Sequence, residues 1–329
     1  MKEILNRLFE YKALSKDEAY EVLKNIASTS YNNSEIAAFL TVYLMRSITV
    51  EELSGFRDAL LELCLNVDMS DQDPIDLCGT GGDGKNTFNI STLSSFVVAG
   101  TGVKVTKHGN YGVSSVSGSS NVLEHFGLKF TNDKAMLQKQ LDKAGICFLH
   151  APLFHPAMKQ VGPVRKELGV KTFFNMLGPM VNPAFPKKQI VGVFNLDLAR
   201  LYQYMLQETD KRFEIIYALD GYDEVSLTGD FKTINRSGEH VYRPEQLGLH
   251  VHKAEEIFGG STVEEAASIF KKILEGEGTG AQNEVVIANS ALAIACARED
   301  VNLNDAVSEA RESLVSGKAL QSFKTLLEL

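Results

Sequence analysis

Asp76-Leu77-Cys78-Gly79-Thr80-Gly81-Gly82-Asp83-Gly84-Lys85-Asn86-Thr87-Phe88-Asn89-Ile90-Ser91-Thr92 reads as a strand end, a glycine-rich turn and the first turn of a helix. The apolar run at 74–78 supplies the strand, and residues 91–99 supply the helix. Glycines at 79, 81, 82 and 84 let the backbone approach a ligand closely and take up positive φ. The N–H groups of such a turn, with those of the helix start, face an anion. Asn89, Ser91 and Thr92 stand where their side chains either cap the helix or meet phosphate oxygens. The stretch therefore predicts a phosphorylated small molecule as ligand.

On either side of it the periodicity differs. Residues 1–66 read as four helices with short connections. Ile4, Leu5, Leu8 and Phe9 form a first apolar stripe, and Ser15-Lys16-Asp17-Glu18 and Thr49-Val50-Glu51-Glu52 fit capping boxes. Asn33 precedes the apolar run at 36–45. Residues 67–74, polar and acidic, read as a linker. Beyond 75, short β-rich runs (103–106, 146–149, 189–194, 213–219) alternate with helical patterns (136–143, 198–206, 262–274, 284–297). Thr262-Val263-Glu264-Glu265 fits a third box, and 276–280 a helix–helix loop. This alternation predicts an α/β domain with a central, mostly parallel sheet flanked by helices, behind a small N-terminal helical domain.

The composition excludes several function classes. The 42 acidic residues exceed the 33 basic ones, giving a formal charge of -9, which argues against nucleic acid as the main partner. Four widely spaced cysteines (Cys64, Cys78, Cys147, Cys296) form no C-x-x-C pair, so they read as buried free thiols. The first eleven residues are a charged amphipathic segment, not a signal peptide, and no apolar run reaches membrane-spanning length. The expectation is a cytoplasmic protein that contacts no membrane.

Residues 79–84 also satisfy G-x-G-x-x-G. A dinucleotide site expects an acidic residue roughly 20 positions on, at the end of the next strand. That strand here ends in Lys107-His108-Gly109-Asn110, and Lys107 would suit only a reader of the extra phosphate of NADP. The loop it opens, Lys107-His108-Gly109-Asn110-Tyr111-Gly112-Val113-Ser114-Ser115-Val116-Ser117-Gly118-Ser119-Ser120, brings a cation, hydroxyls and N–H groups to a second strand end. Two such loops side by side favour a ligand with several phosphates. Asp220-Gly221-Tyr222-Asp223-Glu224 follows another strand. Two carboxylates in that turn suit Mg2+ on a phosphorylated substrate, or else form an exposed acidic turn. Arg165, in Gly162-Pro163-Val164-Arg165, can hold a carboxylate through its guanidinium fork, or pair with Glu167 or solvent.

In this order the four elements, 79–92, 107–120, 155–183 and 220–224, resemble the anthranilate phosphoribosyltransferase family over essentially the whole chain. The resemblance implies transfer of a phosphoribosyl group from phosphoribosyl pyrophosphate to the amino group of anthranilate, with Mg2+, in a homodimer. It implies a helical domain at 1–70, against which 155–180 packs, and an α/β domain at 71–329. Donor contacts are carried over to Gly79, Gly82, Asp83, Thr87, Asn89, Ile90, Ser91 and Thr92. They continue at Lys107, His108, Gly109, Asn110, Tyr111, Gly112, Val113, Ser114, Ser115 and Ser119. Metal binding falls to Ser91, Asp223 and Glu224. The anthranilate pocket and the catalytic positions fall to Arg165, His108 and Asn110, with Gly79 completing the pocket. The chain departs from the family at Tyr111-Gly112, where many members carry Arg. Two alternatives stay open: a pyrimidine nucleoside phosphorylase, and a non-catalytic nucleic-acid-binding relative.

Overall fold

The computed structural model describes residues 1–112 and 116–329. Four helices come first: α1 (Lys2–Phe9), α2 (Lys16–Ala27), α3 (Asn33–Met45) and α4 (Val50–Leu63). The boxes at Ser15–Glu18 and Thr49–Glu52 form with both reciprocal hydrogen bonds. The cap of α3 is Asn32 rather than Asn33. Its Oδ1 accepts from Glu35 N at 3.0 Å, and the Glu35 carboxylate accepts from Asn32 N.

Glu52 does more than cap. Fully buried, it accepts from Leu14 N (3.0 Å) and Tyr43 Oη (3.2 Å) and pairs with Arg46. Burial works to raise its pKa, but Arg46 and the N–H donors outweigh that and hold it low. One carboxylate thus joins the α1–α2 turn, the end of α3 and the start of α4.

The rest of the chain runs β1 (Ile75–Gly79), α5 (Ile90–Gly100), β2 (Val105–Gly109), α6 (Ser119–His125), α7 (Lys134–Ala144) and β3 (Ile146–His150). It continues through α8 (Ala151–Phe154), α9 (Met158–Leu168), α10 (Phe174–Leu177), β4 (Lys188–Gly192), α11 (Leu196–Gln207) and β5 (Arg212–Ala218). A hairpin of β6 (Phe231–Asn235) and β7 (Gly238–Tyr242) follows, then α12 (Val263–Leu274), α13 (Gly280–Ala297), α14 (Leu303–Val315) and α15 (Lys318–Leu327).

The sheet has seven strands in the order β3-β2-β1-β4-β5-β6-β7; the first five are parallel and the hairpin at the edge is antiparallel. Alternation along the strands divides the core, because successive side chains leave a strand on opposite faces. Ile216 and Ala218 of β5 face the layer of α5, α12 and α13. Phe213 and Ile215 face α11 and, beyond it, the N-terminal helices.

Two expectations need correction in detail. Glu265 does not close a box at Thr262: Thr262 Oγ1 accepts from Glu265 N, but the Glu265 carboxylate accepts from Ser261 N. α13 starts at Gly280 instead of 284, because Thr279 and Gln282 form a capping box that the short apolar side chains hid. The stretch at 67–74 is polar but pinned. Val67 N donates to Pro183 O, and Val67 and Met69 are buried with Leu137, Leu141 and Leu149. All four cysteines are free, and no helix among the described residues is long and apolar enough to cross a membrane.

The segment after β3 returns to the N-terminal helices. Phe173 stacks on Phe56 (centroids 4.5 Å apart, 20° between planes) and meets Tyr43 and Phe39 edge-on. Val161, Val164 and Leu177 are buried in the same cluster. Aromatic pairs of this geometry add to the area they bury.

The strand order reverses between β1 and β4, which places a crevice at their carboxyl ends, where open α/β sheets take ligands. Gly79 and Gly192 face each other there in register. A Cβ on Gly79 would lie 2.5 Å from Asp223 Oδ2, and one on Gly192 would lie 1.5 Å from Asp223 O. Both strand ends lack side chains so that Asp223 can enter the crevice.

Phe173→Ala is expected to cost about 3–5 kcal/mol in denaturant unfolding, the range for a buried phenylalanine. Gly192→Ala is expected to give a folded protein with a displaced Asp223. Circular dichroism should be near normal and any activity housed in the crevice lost. An active Gly192→Ala protein would contradict this account of the crevice.

Candidate active site

The glycine loop leaves β1 with Gly81, Gly82 and Gly84 at φ of +63°, +83° and +74°, values that a side chain would strain. Thr80 N continues the ladder to Gly192 O. Asp83 folds back on its own turn, accepting from Lys85 N at 3.0 Å. The far arm is stitched to the segment before α12: Asn86 Nδ2 donates to Gly260 O, Gly259 N to Asn86 O, and Thr87 bridges Phe258.

The N–H groups expected to face phosphate are partly engaged. Gly81 N donates to Asp223 Oδ2 at 2.6 Å, and Ser91 N, in the first turn of α5, donates to Glu224 Oε1 at 2.8 Å. The acidic pair thus sits at the loop and the positive end of a helix, where negative charge is favoured. Asn89 does not cap α5 with its side chain; its Nδ2 reaches Ser117 O and ties the first loop to the second. Ile90, carried over as a donor contact, has its N–H donating to Phe88 O and its side chain in the core. Thr92 is likewise buried.

Lys107 lies inside the wall of the crevice. It is 2% exposed, and its Nζ donates to Leu77 O at 2.6 Å and to Ser91 Oγ at 3.4 Å. It therefore faces Glu224 across Ser91. Even with this cation near, burial pushes the Glu224 carboxyl up to about 7, with the Asp83 charge adding to the rise. Asp223 is held well above the usual carboxylate range by burial and by the charges of Glu224 and Asp83. Such a pair is short of positive charge. Among the described residues no group of three or more His, Cys, Asp or Glu forms a cage for a metal. Two carboxylates without a cage fit Mg2+, which takes one or two protein carboxylates and completes its octahedron with substrate phosphates and water.

His108 is buried with its main-chain N donating to Asp76 Oδ1, and its Nδ1 lies 3.1 Å from Gly178 O. A carbonyl partner requires the proton on Nδ1, which leaves Nε2 as an acceptor. Burial, with His155 5.3 Å away ring to ring, lowers its pKa to about 3. Asn110 is exposed, with its Oδ1 accepting from Tyr111 N. The Tyr111 side chain turns away to donate to Glu124 and to rest edge-on against His150, so only its backbone can serve a ligand. Gly112 N donates to Asn121 Oδ1, and Ser119 Oγ donates to Asn110 O. Val113, Ser114 and Ser115 lie outside the described residues.

Arg165 has no acidic partner among the described residues; the Glu167 pairing considered from sequence is not made. Its Nη2 donates to Asn175 Oδ1 at 3.2 Å, its guanidinium lies over Phe174, and burial lowers its pKa. A half-buried guanidinium without an acidic partner among the described residues suits a planar carboxylate. Sequence reasoning missed two neighbours. Asn175 orients Arg165 and also accepts from Thr172 N, and the Lys171 ammonium grips Gly82 O from the helical side. Lys171 lies 89 residues along the chain from its partner Gly82, so nothing local announces it. A cleft of about 630 Å3 opens beside this contact, lined by Thr80, Gly81, Gly82 and Asn175, but Asp223, Lys107 and Arg165 do not line it.

The chain matches the model of the glycosyl transferase family a/b domain over residues 71–320 and that of the helical bundle domain over 2–64. It is 61% identical to anthranilate phosphoribosyltransferase of Christiangramia forsetii, over 100% of this chain and 99% of that protein. It is 60% identical to the enzyme of that name from Flavobacterium johnsoniae, with the same coverage. The crystal structure of anthranilate phosphoribosyltransferase from Thermus thermophilus superposes with a TM-score of 0.91 at 31% identity, over 98% of both chains. The Saccharomyces cerevisiae enzyme in complex with PRPP and Mg gives 0.90 at 27% identity, over 98% of this chain and 96% of that one. Identity at this level over the full length of both chains shows that the chain belongs to the anthranilate phosphoribosyltransferase family.

Proposed function

We propose that the protein transfers the phosphoribosyl group of 5-phosphoribosyl 1-pyrophosphate to the amino group of anthranilate, releasing pyrophosphate, as a step of tryptophan biosynthesis. The observation that carries this reading is the meeting of Gly81, Ser91 and Lys107 with Asp223 and Glu224 at the reversal point of the sheet. A nucleoside phosphorylase has no need of a cation-poor carboxylate pair beside two anion-binding loops.

The donor is assigned to Gly79, Gly82, Asp83, Thr87, Asn89, Ser91 and Thr92 on one side. His108 to Gly112 and Ser119 hold it on the other, with Lys107 acting from within the wall. Asp223 and Glu224, with Ser91 beside them, would hold Mg2+, whose charge when bound offsets that of the pyrophosphate. As the bond from the anomeric carbon to pyrophosphate lengthens, negative charge collects on the leaving group. Fixed N–H dipoles and the buried Lys107 stabilise that state more than the bound donor. Their positions are set before reaction, so no reorganisation opposes them.

The acceptor needs placement more than activation. An aromatic amine is neutral at pH 7, and it loses its proton readily once bonded to the sugar carbon. Arg165, held by Asn175, receives the ortho carboxylate. His108, with its acceptor at Nε2, and Asn110, whose side chain is exposed, are assigned to the same pocket. Placement alone can remove several kcal/mol of barrier.

The division into a helical unit at 1–70 with 155–180 against it, and an α/β unit at 71–329, belongs to the same reading. So do a homodimer and a cytoplasmic location. Exposed Phe9, Leu44 and Met45 on the N-terminal helices support pairing of two copies through that unit.

The direct test follows anthranilate fluorescence after addition of phosphoribosyl pyrophosphate and Mg2+, repeated with EDTA. The signal should fall only in the first case, and no fall in either would overturn the assignment. In the same assay Arg165→Ala is expected to raise KM for anthranilate by about 10²-fold, the scale for a lost charged contact, with KM for the donor little changed. Equal effects on both substrates would count against the role of Arg165.

A pH test concerns His108. Its folded pKa, about 3, lies below the ordinary value of 6.5. Between those limits the unfolded chain binds a proton that the folded chain refuses, so stability falls as pH drops through this window. The slope is about 1.4 kcal/mol per pH unit at full difference. Urea titrations should show a shallower decline for His108→Gln between about pH 6 and pH 4. An unchanged slope would mean that His108 is protonated in the native protein.

A further inference from the structure

The acidic pair lies on a segment that belongs to no strand or helix, yet is buried: Val225, Ser226 and Leu227 are 0%, 1% and 0% exposed. Buried main chain outside a ladder has to find partners elsewhere. For Val225 both come from one side chain on α13. Asn289 Oδ1 accepts from Val225 N at 3.0 Å, and Asn289 Nδ2 donates to Val225 O at 2.8 Å. The second Nδ2 hydrogen goes to Val285 O, one turn back along α13, at 2.8 Å, which fixes the orientation of the amide. A carboxamide carries a donor and an acceptor in the arrangement of a peptide group, so Asn289 stands in for the neighbouring strand that the segment lacks. It is 6% exposed, and with Asp223, Glu224 and Ser91 it lines a cavity of about 20 Å3 directly behind the pair.

We propose that Asn289 is a positioning residue for the metal-and-donor seat. It locks the peptide that follows Glu224, so that both carboxylates are held from behind by α13 and at their tips by Gly81 N and Ser91 N. This rests on the reading of Asp223 and Glu224 as the metal seat. The side chain itself touches neither metal nor substrate. Aspartate cannot replace it: the isosteric carboxylate keeps an acceptor for Val225 N but loses both donors, and sets negative charge against two carbonyls and next to two acids. Glutamine is one methylene too long for the same site.

The test uses purified full-length protein and Mn2+ as a spectroscopic substitute for Mg2+. Binding of Mn2+ in the presence of phosphoribosyl pyrophosphate is titrated by electron paramagnetic resonance for wild type, Asn289→Ala, Asn289→Asp and Ser290→Ala. Ser290, the buried neighbour on α13, bonds through its hydroxyl, among the described residues, within its own helix at Val286 O, and serves as the control for helix damage. Both Asn289 variants are expected to bind Mn2+ about 10- to 100-fold more weakly, the scale for residues that orient metal ligands. KM for anthranilate should stay unchanged, and Ser290→Ala should match wild type. Variants that bind like wild type overturn the proposal. So does a loss shared equally by Ser290→Ala and by both substrates. Wild type that binds no Mn2+ with the donor removes the metal seat itself, and this role with it. Amide hydrogen exchange on wild type tests the clamp whether or not the variants fold. Val225 should exchange as slowly as the central strands, and exchange at the rate of an exposed loop refutes it.

Discussion

Two like charges packed side by side out of water are the constraint around which the crevice is built. Asp223 is buried and Glu224 half-buried between the strand ends and α5, and the charges of Glu224 and Asp83 both bear on Asp223. Burial of a carboxylate without compensation costs several kcal/mol. The compensations in view are all partial dipoles or indirect charges: one N–H from the glycine loop, one from the start of α5, and the Lys107 ammonium beyond Ser91. A site so arranged carries unsatisfied demand for a cation. That demand links a costly feature of the ligand-free fold to the use proposed for it.

Much of the surrounding architecture serves to hold that pair in place. Gly79 and Gly192 remove side chains from two adjacent strands so that the aspartate can enter between them. The reversal of strand order makes room at that point, since the connections from β1 and β4 leave in opposite directions. α13, buried nearly all round, spans the floor and supplies Asn289. The same helix packs on α5, whose N-terminus holds Glu224, so carboxylate, dipole and main-chain clamp share one rigid support.

The opposite wall has a different physical origin. Phe173 is wedged among Phe39, Tyr43 and Phe56, so the segment bearing Arg165, Lys171 and Asn175 is fastened to the N-terminal helices by apolar contact. From there Lys171 reaches Gly82 O, a polar link across to the glycine loop. Among the polar contacts between the two walls are single hydrogen bonds such as His108 to Gly178 and Lys171 to Gly82. Contacts of that kind exchange readily with water, whereas the aromatic wedge does not.

Local rules made a good part of this legible. Glycines at positions needing positive φ, Ser and Thr at helix starts and apolar alternation in strands act over a few residues, so they can be read along the chain. By that route the helical beginning, the parallel strands, the two loops and the acidic turn were all visible in the sequence, and Arg165 stood out as a candidate. Position in space was not. Gly192, Lys171 and Asn289 look unremarkable in line, because each matters through a partner dozens of residues away. The edge hairpin β6–β7 carries too few apolar residues to announce itself, and proximity in sequence cannot show that the Ile90 side chain turns into the core or that of Tyr111 toward Glu124. The amino-acid order alone determined which segments become helix, strand and anion-binding turn, since those choices depend on short-range sterics and hydrogen bonding. Only the tertiary structure decided that two glycines would face one aspartate, that Lys107 would lie inside the wall and that Arg165 would turn to Asn175 and Phe174, because burial and charge pairing depend on residues brought together from the whole length of the chain.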